Sequence, residues 1–361
     1  MKKELCDRLV DALLLRGGAI LPQKSQATYD LLEELFAPEE AEFACTMPLD
    51  LQTAEKIAEN AGRSPDESTA ILESMADKGL VFAIDKGGPT LYRLMPLAPG
   101  IYEYQFMAGE VSERAKKLAR LFDEVTPVSG NESASFNAPR FPFSRVLPIE
   151  KELESELNVQ PYEKISEYLK NAQHIAVSTC YCRHHAELMG KPCDKPKEVC
   201  MSVGPGAKFA AERGFGRLIS TEEALRILEV SEEAGLVHCT SNTSKYIDFI
   251  CNCCVCHCAI LHQHKDMRKV NLGQPSNYMV VVDPGRCDLC ETCIDRCPMD
   301  ALSISENRIE RDDHLCIGCG LCVSTCPSEA LRMVAREEHQ TPPKGQRELF
   351  AAMAASMQKS E

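Results

Sequence analysis

Residues 287–298 read CDLCETCIDRCP, and residues 316–327 read CIGCGLCVSTCP. Both follow one pattern, C-x2-C-x2-C-x3-C-P. The first copy is Cys287, Cys290, Cys293 and Cys297 before Pro298; the second is Cys316, Cys319, Cys322 and Cys326 before Pro327. The repeat extends past the cysteines, since Asp283 matches Asp312, Ala301 matches Ala330 and Leu302 matches Leu331. Internal duplication of this kind predicts a small domain with pseudo-twofold symmetry.

The spacing has a chemical reason. Three thiolates on a tight loop reach three corners of one cubane, while the fourth cysteine, followed by proline, leads away to the other cluster. The pattern assigns Cys287, Cys290, Cys293 and Cys326 to one [4Fe–4S] cluster, and Cys316, Cys319, Cys322 and Cys297 to a second. Leu289, Ile294, Ile317, Leu321 and Val323 keep water away, and Gly318 and Gly320 let backbone N–H groups face sulfur. A zinc site needs only four thiolates and leaves the two matched prolines without a reason. Over this stretch the chain resembles the bacterial two-cluster ferredoxins. The resemblance implies single-electron transfer with redox partner proteins and no substrate chemistry of the module's own.

Of the 20 cysteines, all but Cys6 and Cys45 lie between Cys180 and Cys326. Cysteines grouped in C-x-C and C-x-x-C runs read as metal ligands rather than a disulfide framework. Outside the ferredoxin-like module they form two groups. STCYCRHHAELMGKPCDKPKEVC supplies Cys180, Cys182, Cys193 and Cys200; FICNCCVCHC supplies Cys251, Cys253, Cys254, Cys256 and Cys258; Cys239 stands apart. The apolar run HIAVS predicts a buried strand, with Cys180 and Cys182 on one side at its end. Cys180, Cys182, Cys193 and Cys200 can ligate one further [4Fe–4S] cluster, its charge balanced by Arg183, Lys191, Lys195 and Lys197. The run 251–258 supplies a second site or shares the first. Three chemistries stand open: one or more additional clusters, a structural zinc, or a redox-active thiol pair such as Cys253 and Cys254. His184, His185, His257, His262 and His264 read as surface or hydrogen-bonding residues, because thiolates already satisfy such a site.

The N-terminal part has a readable order. Asp50 can cap a helix over Leu51–Ala61 that stops at Gly62. Ser64, Pro65 and Glu67 form a capping box for a second helix ending near Lys78, with Leu72, Met75 and Ala76 inward. Val81–Ile84 and Thr90–Leu94 then predict a hairpin. This order resembles the winged helix-turn-helix. The second helix carries Asp66, Glu67, Glu73 and Asp77 against Lys78, a face that duplex DNA repels. The net charge of −14 points the same way.

The expected fold class is α+β, in five segments. They are a winged-helix-like domain (1–110), a connecting segment (111–165), a cysteine-rich α/β metal-binding domain (166–275), the two-cluster ferredoxin-like domain (276–335), and a polar tail with a short helix (336–361). Between the two middle cysteine groups, Thr221–Gly235 predicts a helix packed through Ala224, Leu225, Ile227 and Leu228. The last helix presents Leu349, Phe350, Met353 and Met357 on one face. MSVGPGAKFA is no nucleotide fingerprint but a loop entering a helix, and no small-molecule substrate is assigned.

The start, MKKELCDRLVDALLLRGG, carries Glu4, Asp7, Arg8 and Asp11 where a signal peptide needs apolar residues. No uncharged apolar stretch reaches the ~18 residues of a membrane span. The expectation is a cytoplasmic protein. The whole order resembles a group of ferredoxin-like proteins of anaerobic bacteria, which implies electron transfer in anaerobic energy metabolism. An iron–sulfur reductase with its site among Cys180–Cys258, and a redox-sensing regulator, are the competing readings.

Overall fold

The computed structural model describes residues 1–85, 87–125, 141–153, 159–258, 260–261 and 273–358. The helices are α1 (Lys3–Leu14), α2 (Gln26–Leu35), α3 (Pro38–Ala44), α4 (Ala54–Ala61), α5 (Pro65–Asp77), α6 (Ile101–Met107), α7 (Glu113–Val125), α8 (Ile165–Asn171), α9 (Tyr181–Leu188), α10 (Pro205–Glu212) and α11 (Thr221–Glu233). The strands are β1 (Gln52–Thr53), β2 (Val81–Ile84), β3 (Leu91–Leu94), β4 (Ser144–Val146), β5 (Ile175–Thr179), β6 (Glu198–Val203), β7 (Arg217–Leu218), β8 (Val237–Ser241), β9 (Phe249–Cys253), β10 (Gly273–Gln274), β11 (Tyr278–Val282), β12 (Leu302–Ser305), β13 (Arg308–Arg311) and β14 (Leu331–Ala335). A short helix at Thr292–Arg296 and a C-terminal helix at Gln346–Gln358 complete the set.

These elements form two compact units in place of the expected series. The first takes Met1–Ala138, Ser178–Pro192 and Pro205–Arg217; the second takes Pro139–Val177, Cys193–Gly204 and Leu218–Glu361. The expected middle domain is therefore divided. The reason is aromatic packing by α9 and α10 inside the first unit. Tyr181 meets Tyr102 at 5.5 Å between ring centroids, and Phe209 meets Phe82 at 5.0 Å and Tyr104 at 5.3 Å.

Within the first unit, α4, α5 and the β2–β3 hairpin follow in the expected order, and β1 joins β3 to make a three-stranded sheet. Thr53, not Asp50, caps α4, its hydroxyl accepting the Lys56 N–H at 3.4 Å. The helix begins late because Gln52 and Thr53 pair with Tyr92 and Leu91. Ser64 and Glu67 form the capping box of α5, with Pro65 at its first turn. Helix α7 lies in the stretch expected to be a connector. Ala115, Leu118, Ala119 and Phe122 recur at helical spacing and are buried, the mark of a core-facing helix. Residues 126–140 and 154–158 of the expected connecting segment fall outside the described residues.

The second unit is built on a seven-stranded sheet in the order β10-β4-β8-β9-β6-β5-β7. One face buries Ile175, Val177, Met201, Val203 and Ile250 with Leu169 of α8 and with Ala224 and Leu228 of α11. Ser220, one residue before the expected start, caps α11 by accepting the Glu223 N–H at 3.2 Å. The opposite face buries Val146, Val237, Cys239 and Cys253 in one cluster with Cys293, Cys316, Ile317, Leu321 and Cys322. The ferredoxin-like module thus packs on the sheet. Ile149 N–H donates to the Cys319 carbonyl at 3.0 Å, and Arg296 donates to the Glu232 and Glu233 carbonyls at the end of α11, where a cation suits the helix dipole.

The module shows its duplication bond by bond. β11 pairs with β14 and β12 with β13, both antiparallel. Asp283 N–H donates to Ala330 O at 2.7 Å and Asp312 N–H to Ala301 O at 2.8 Å. Left-handed residues also recur in pairs: Leu289 with Gly318, Glu291 with Gly320, and Asp300 with Glu329. In the C-terminal helix Leu349 and Met353 are buried and Phe350 half-buried, and the Ser356 hydroxyl accepts the Phe141 N–H at 3.1 Å. The side chain of Met357 lies outside the described residues. Among the described residues, no helix is long and apolar enough to cross a membrane.

Candidate cluster and metal sites

Cys297, from the first motif, lines one cavity with Cys316, Cys319 and Cys322 of the second, closed by Met299, Ile317, Gly318 and Met333. Cys293 in turn lies within charge range of Cys287, Cys290 and Cys326. The residues of the second expected set thus share one cavity, and those of the first interact by charge. Backbone N–H groups face sulfur at matched places: Ala301 to Cys297 and Ala330 to Cys326, both at 3.3 Å. Burial pushes the Cys319 thiol up to about 12 and holds Cys322 well above the thiol range. Burial also raises Cys326, but bonds from Ser328 and from the Ala330, Leu331 and Ser328 backbone outweigh it and leave this thiol lowered. Thiols this deep carry charge only beside a cation. The sets differ in access, since Cys290 is exposed and Cys287 half-buried, while Cys316 and Cys322 are buried.

A third set stands on the sheet face beneath the module. Cys239 of β8 lies opposite Cys251 of β9, and Val146 of β4 lies opposite Cys239. The β6–β9 register pairs Met201 with Ile250 and Ser202 with Phe249, which sets Cys200 beside Cys251. Cys200, Cys251 and Cys239 thus form a row across three strands, and Cys253 projects from the same face two residues on. Cys253 makes thiol contacts with Cys239, Cys251 and Cys258, and Cys251 with Cys200. The Cys200 contact lowers Cys251, but Cys253 and burial outweigh it and hold Cys251 well above the thiol range. The Cys253 contact lowers the Cys239 thiol, but burial and the charges of Cys258, Cys251 and Cys319 of the ferredoxin-like module outweigh it and leave it raised.

The other face of the same strands carries a polar group beside its apolar residues. His238 binds Asn252 at 2.6 Å and Glu232 at 3.3 Å, and Asn252 donates to the Val199 carbonyl at 2.7 Å. Neighbouring residues of β8 and β9 therefore have different roles according to parity. Cys239 was the site residue hardest to find in the sequence. Its only signal was its place in a short strand, whose register with β9 no local pattern reveals.

Four side chains of ligand type gather more tightly elsewhere. Cys193, Cys254, Cys256 and His257 bring one donor atom each within 4.8 Å of one another. Cys193 Sγ lies 3.6 Å from Cys256 Sγ, and His257 Nδ1 lies 3.2 Å from the same sulfur. His257 is thus among the ligand-like groups, contrary to the sequence expectation. Cys253 and Cys254, adjacent in the chain, go to different sets. Of the expected foursome Cys180, Cys182, Cys193 and Cys200, Cys193 joins the tight group and Cys200 stands beside Cys251. Cys180 and Cys182 belong to the first unit, where Cys180 precedes α9 and Cys182 sits inside it. The strand ends at Thr179, so alternation does not reach them.

His184 and His185 are held by hydrogen bonds within the first unit. His184 Nε2 faces the Glu110 carbonyl at 3.0 Å. His185 Nε2 donates to the Ala119 carbonyl at 2.8 Å, which leaves Nδ1 to accept the Tyr102 hydroxyl at 2.6 Å. Burial lowers the His185 pKa. His262 and His264 lie outside the described residues.

A family model described as a 4Fe-4S dicluster domain matches residues 279–327, a stretch that contains all eight cysteines of the duplicated motif. No curated protein and no solved structure matches the chain. Residues 279–327 form an iron–sulfur, ferredoxin-like domain.

Proposed function

We propose that the chain is an iron–sulfur electron-transfer protein in which the ferredoxin-like module passes electrons onward to the thiol set of the sheet. Cys287, Cys290, Cys293 and Cys326 hold one [4Fe–4S] cluster, and Cys316, Cys319, Cys322 and Cys297 hold the other. Cys200, Cys239, Cys251, Cys253 and Cys258 supply the ligands of a third. Such clusters, when bound, take up and release single electrons. The carrying observation is the shared core: Cys316, Cys322, Cys239 and Cys253 are buried in one apolar cluster, with Cys319 in charge range of Cys239.

The residues support this reading by position and access. The exposed Cys290 loop gives a redox partner a place of entry. Ile317, Leu321, Met299 and Met333 exclude water from the second thiol set, and burial with N–H···S bonds tunes a cluster's potential. Five thiols for four cluster corners leave no open coordination position, which favours a carrier over a reductase. A regulatory reading is disfavoured within the first unit. Arg213 there pairs with Glu73 at 2.8 Å and Asp77 at 2.6 Å, so this face of the second helix is engaged by the chain itself. In this reading the winged-helix-like elements dock proteins, and the chain works in a reducing cytoplasm.

An anaerobic reductive titration tests the proposal. The visible charge-transfer absorption is expected to bleach reversibly as the chain takes up about three electrons, one per cluster. Iron-loaded protein that accepts no electrons from a low-potential donor would refute the carrier role.

A further inference from the structure

Cys193, Cys254, Cys256 and His257 differ from every other cysteine set in scale. A zinc ion binds thiolates at about 2.3 Å, which places two sulfurs of a tetrahedron about 3.8 Å apart. The observed 3.6 Å between Cys193 Sγ and Cys256 Sγ matches that edge. A cubane sets its cysteine sulfurs much farther apart, because each lies one bond beyond a corner of the cube. Among the described residues no other three ligand atoms gather within 4.8 Å, the ferredoxin thiols and the sheet thiols included.

The surroundings agree with a small closed site. Cys254 is anchored in an apolar pocket with Val199 and Leu236, with Cys193 packed against it. Cys256 is exposed and His257 half-buried, so the site sits at the surface of the second unit. Three thiolates and one imidazole fill all four tetrahedral positions, the composition of a structural zinc centre. Soft sulfur with one borderline nitrogen also disfavours magnesium, calcium and manganese.

We propose that these four residues hold one structural zinc ion, separate from the iron–sulfur sites. The arrangement divides a single loop between two metals. Cys254, Cys256 and His257 turn to the zinc, while Cys253 and Cys258 turn to the sheet thiols. The zinc ties this loop to Cys193, a residue far away in sequence, and fixes its direction. It also explains an adjacent cysteine pair without invoking a vicinal disulfide. The inference does not depend on the electron-transfer reading, since zinc takes no part in redox chemistry.

The test uses the full chain, purified anaerobically and then exposed to zinc and a competing chelator. The proposal predicts about one tightly held zinc per chain. Its X-ray absorption is expected to show three sulfur neighbours at about 2.3 Å and one nitrogen at about 2.0–2.1 Å. Cys256→Ser and His257→Ala are expected to release zinc to the chelator while iron per chain stays at the wild-type value. Cys256 is exposed, so its serine variant has little packing to lose. Absence of tight zinc in the wild type, iron in its place, or a zinc shell dominated by oxygen would overturn the proposal. So would zinc retention unchanged in both variants. The wild-type spectrum decides the matter even if a variant folds poorly.

Discussion

Gly318 sits at φ +65, and a Cβ there would fall 2.0 Å from the Tyr278 carbonyl oxygen and 2.3 Å from Ser276 Oγ. Backbone cannot move aside as a flexible side chain can, so Gly318→Ala must distort the loop between Cys316 and Cys319. The expected result is a loss of stability of about 2 kcal/mol or more and loss of iron from the second cluster only. Denaturant titration together with iron analysis checks both, and an iron content equal to wild type would contradict the assignment. The matching residue of the first repeat is Leu289, at φ +59, so the duplication preserves the turn but not the glycine. At the sheet, Cys253 touches three other thiols, and the double variant Cys251→Ser, Cys253→Ser, which leaves only three of the five, is expected to remove about four irons per chain while the ferredoxin-like module keeps its own. The eight module cysteines were legible because each copy carries its ligands within a few residues. Cys239 was not, because its neighbours come from other strands.

Parity along β9 and the turn that follows it decides which thiols meet. Cys251 and Cys253 share a face with Cys239, and Asn252 faces away with His238. This sorting follows from strand geometry once the strand is placed. The same rule misled at Cys180 and Cys182, because β5 ends at Thr179 and a helix begins at Tyr181. Helix ends were easier to read, since capping is local chemistry. Ser64 accepts the Glu67 N–H at 3.3 Å, and Ser64→Ala is expected to cost about 1 kcal/mol, seen as a lower thermal midpoint with iron content unchanged. Helix α7 carried an equally plain 3.6-residue pattern, but it stood in a stretch that ends in irregular, polar sequence. For α5, the acidic face and its Arg213 pairings predict no retardation of random duplex DNA at low salt. A salt-sensitive shift in an electrophoretic assay would revive the regulatory reading.

At the scale of the whole molecule, the chain order of the cysteines differs from their grouping in space. The middle region divides between two compact units, which no local pattern announces, because aromatic packing of α9 and α10 is a tertiary fact. Within the second unit, one sheet carries helices on one face and the iron–sulfur module on the other. In the proposed function, that layering gives the ferredoxin-like domain a destination for its electrons. The most direct test is iron and acid-labile sulfide per chain in protein purified or reconstituted without oxygen. Three clusters predict about twelve of each, with the zinc counted separately. About eight of each would confine the clusters to the ferredoxin-like module and contradict the route onto the sheet.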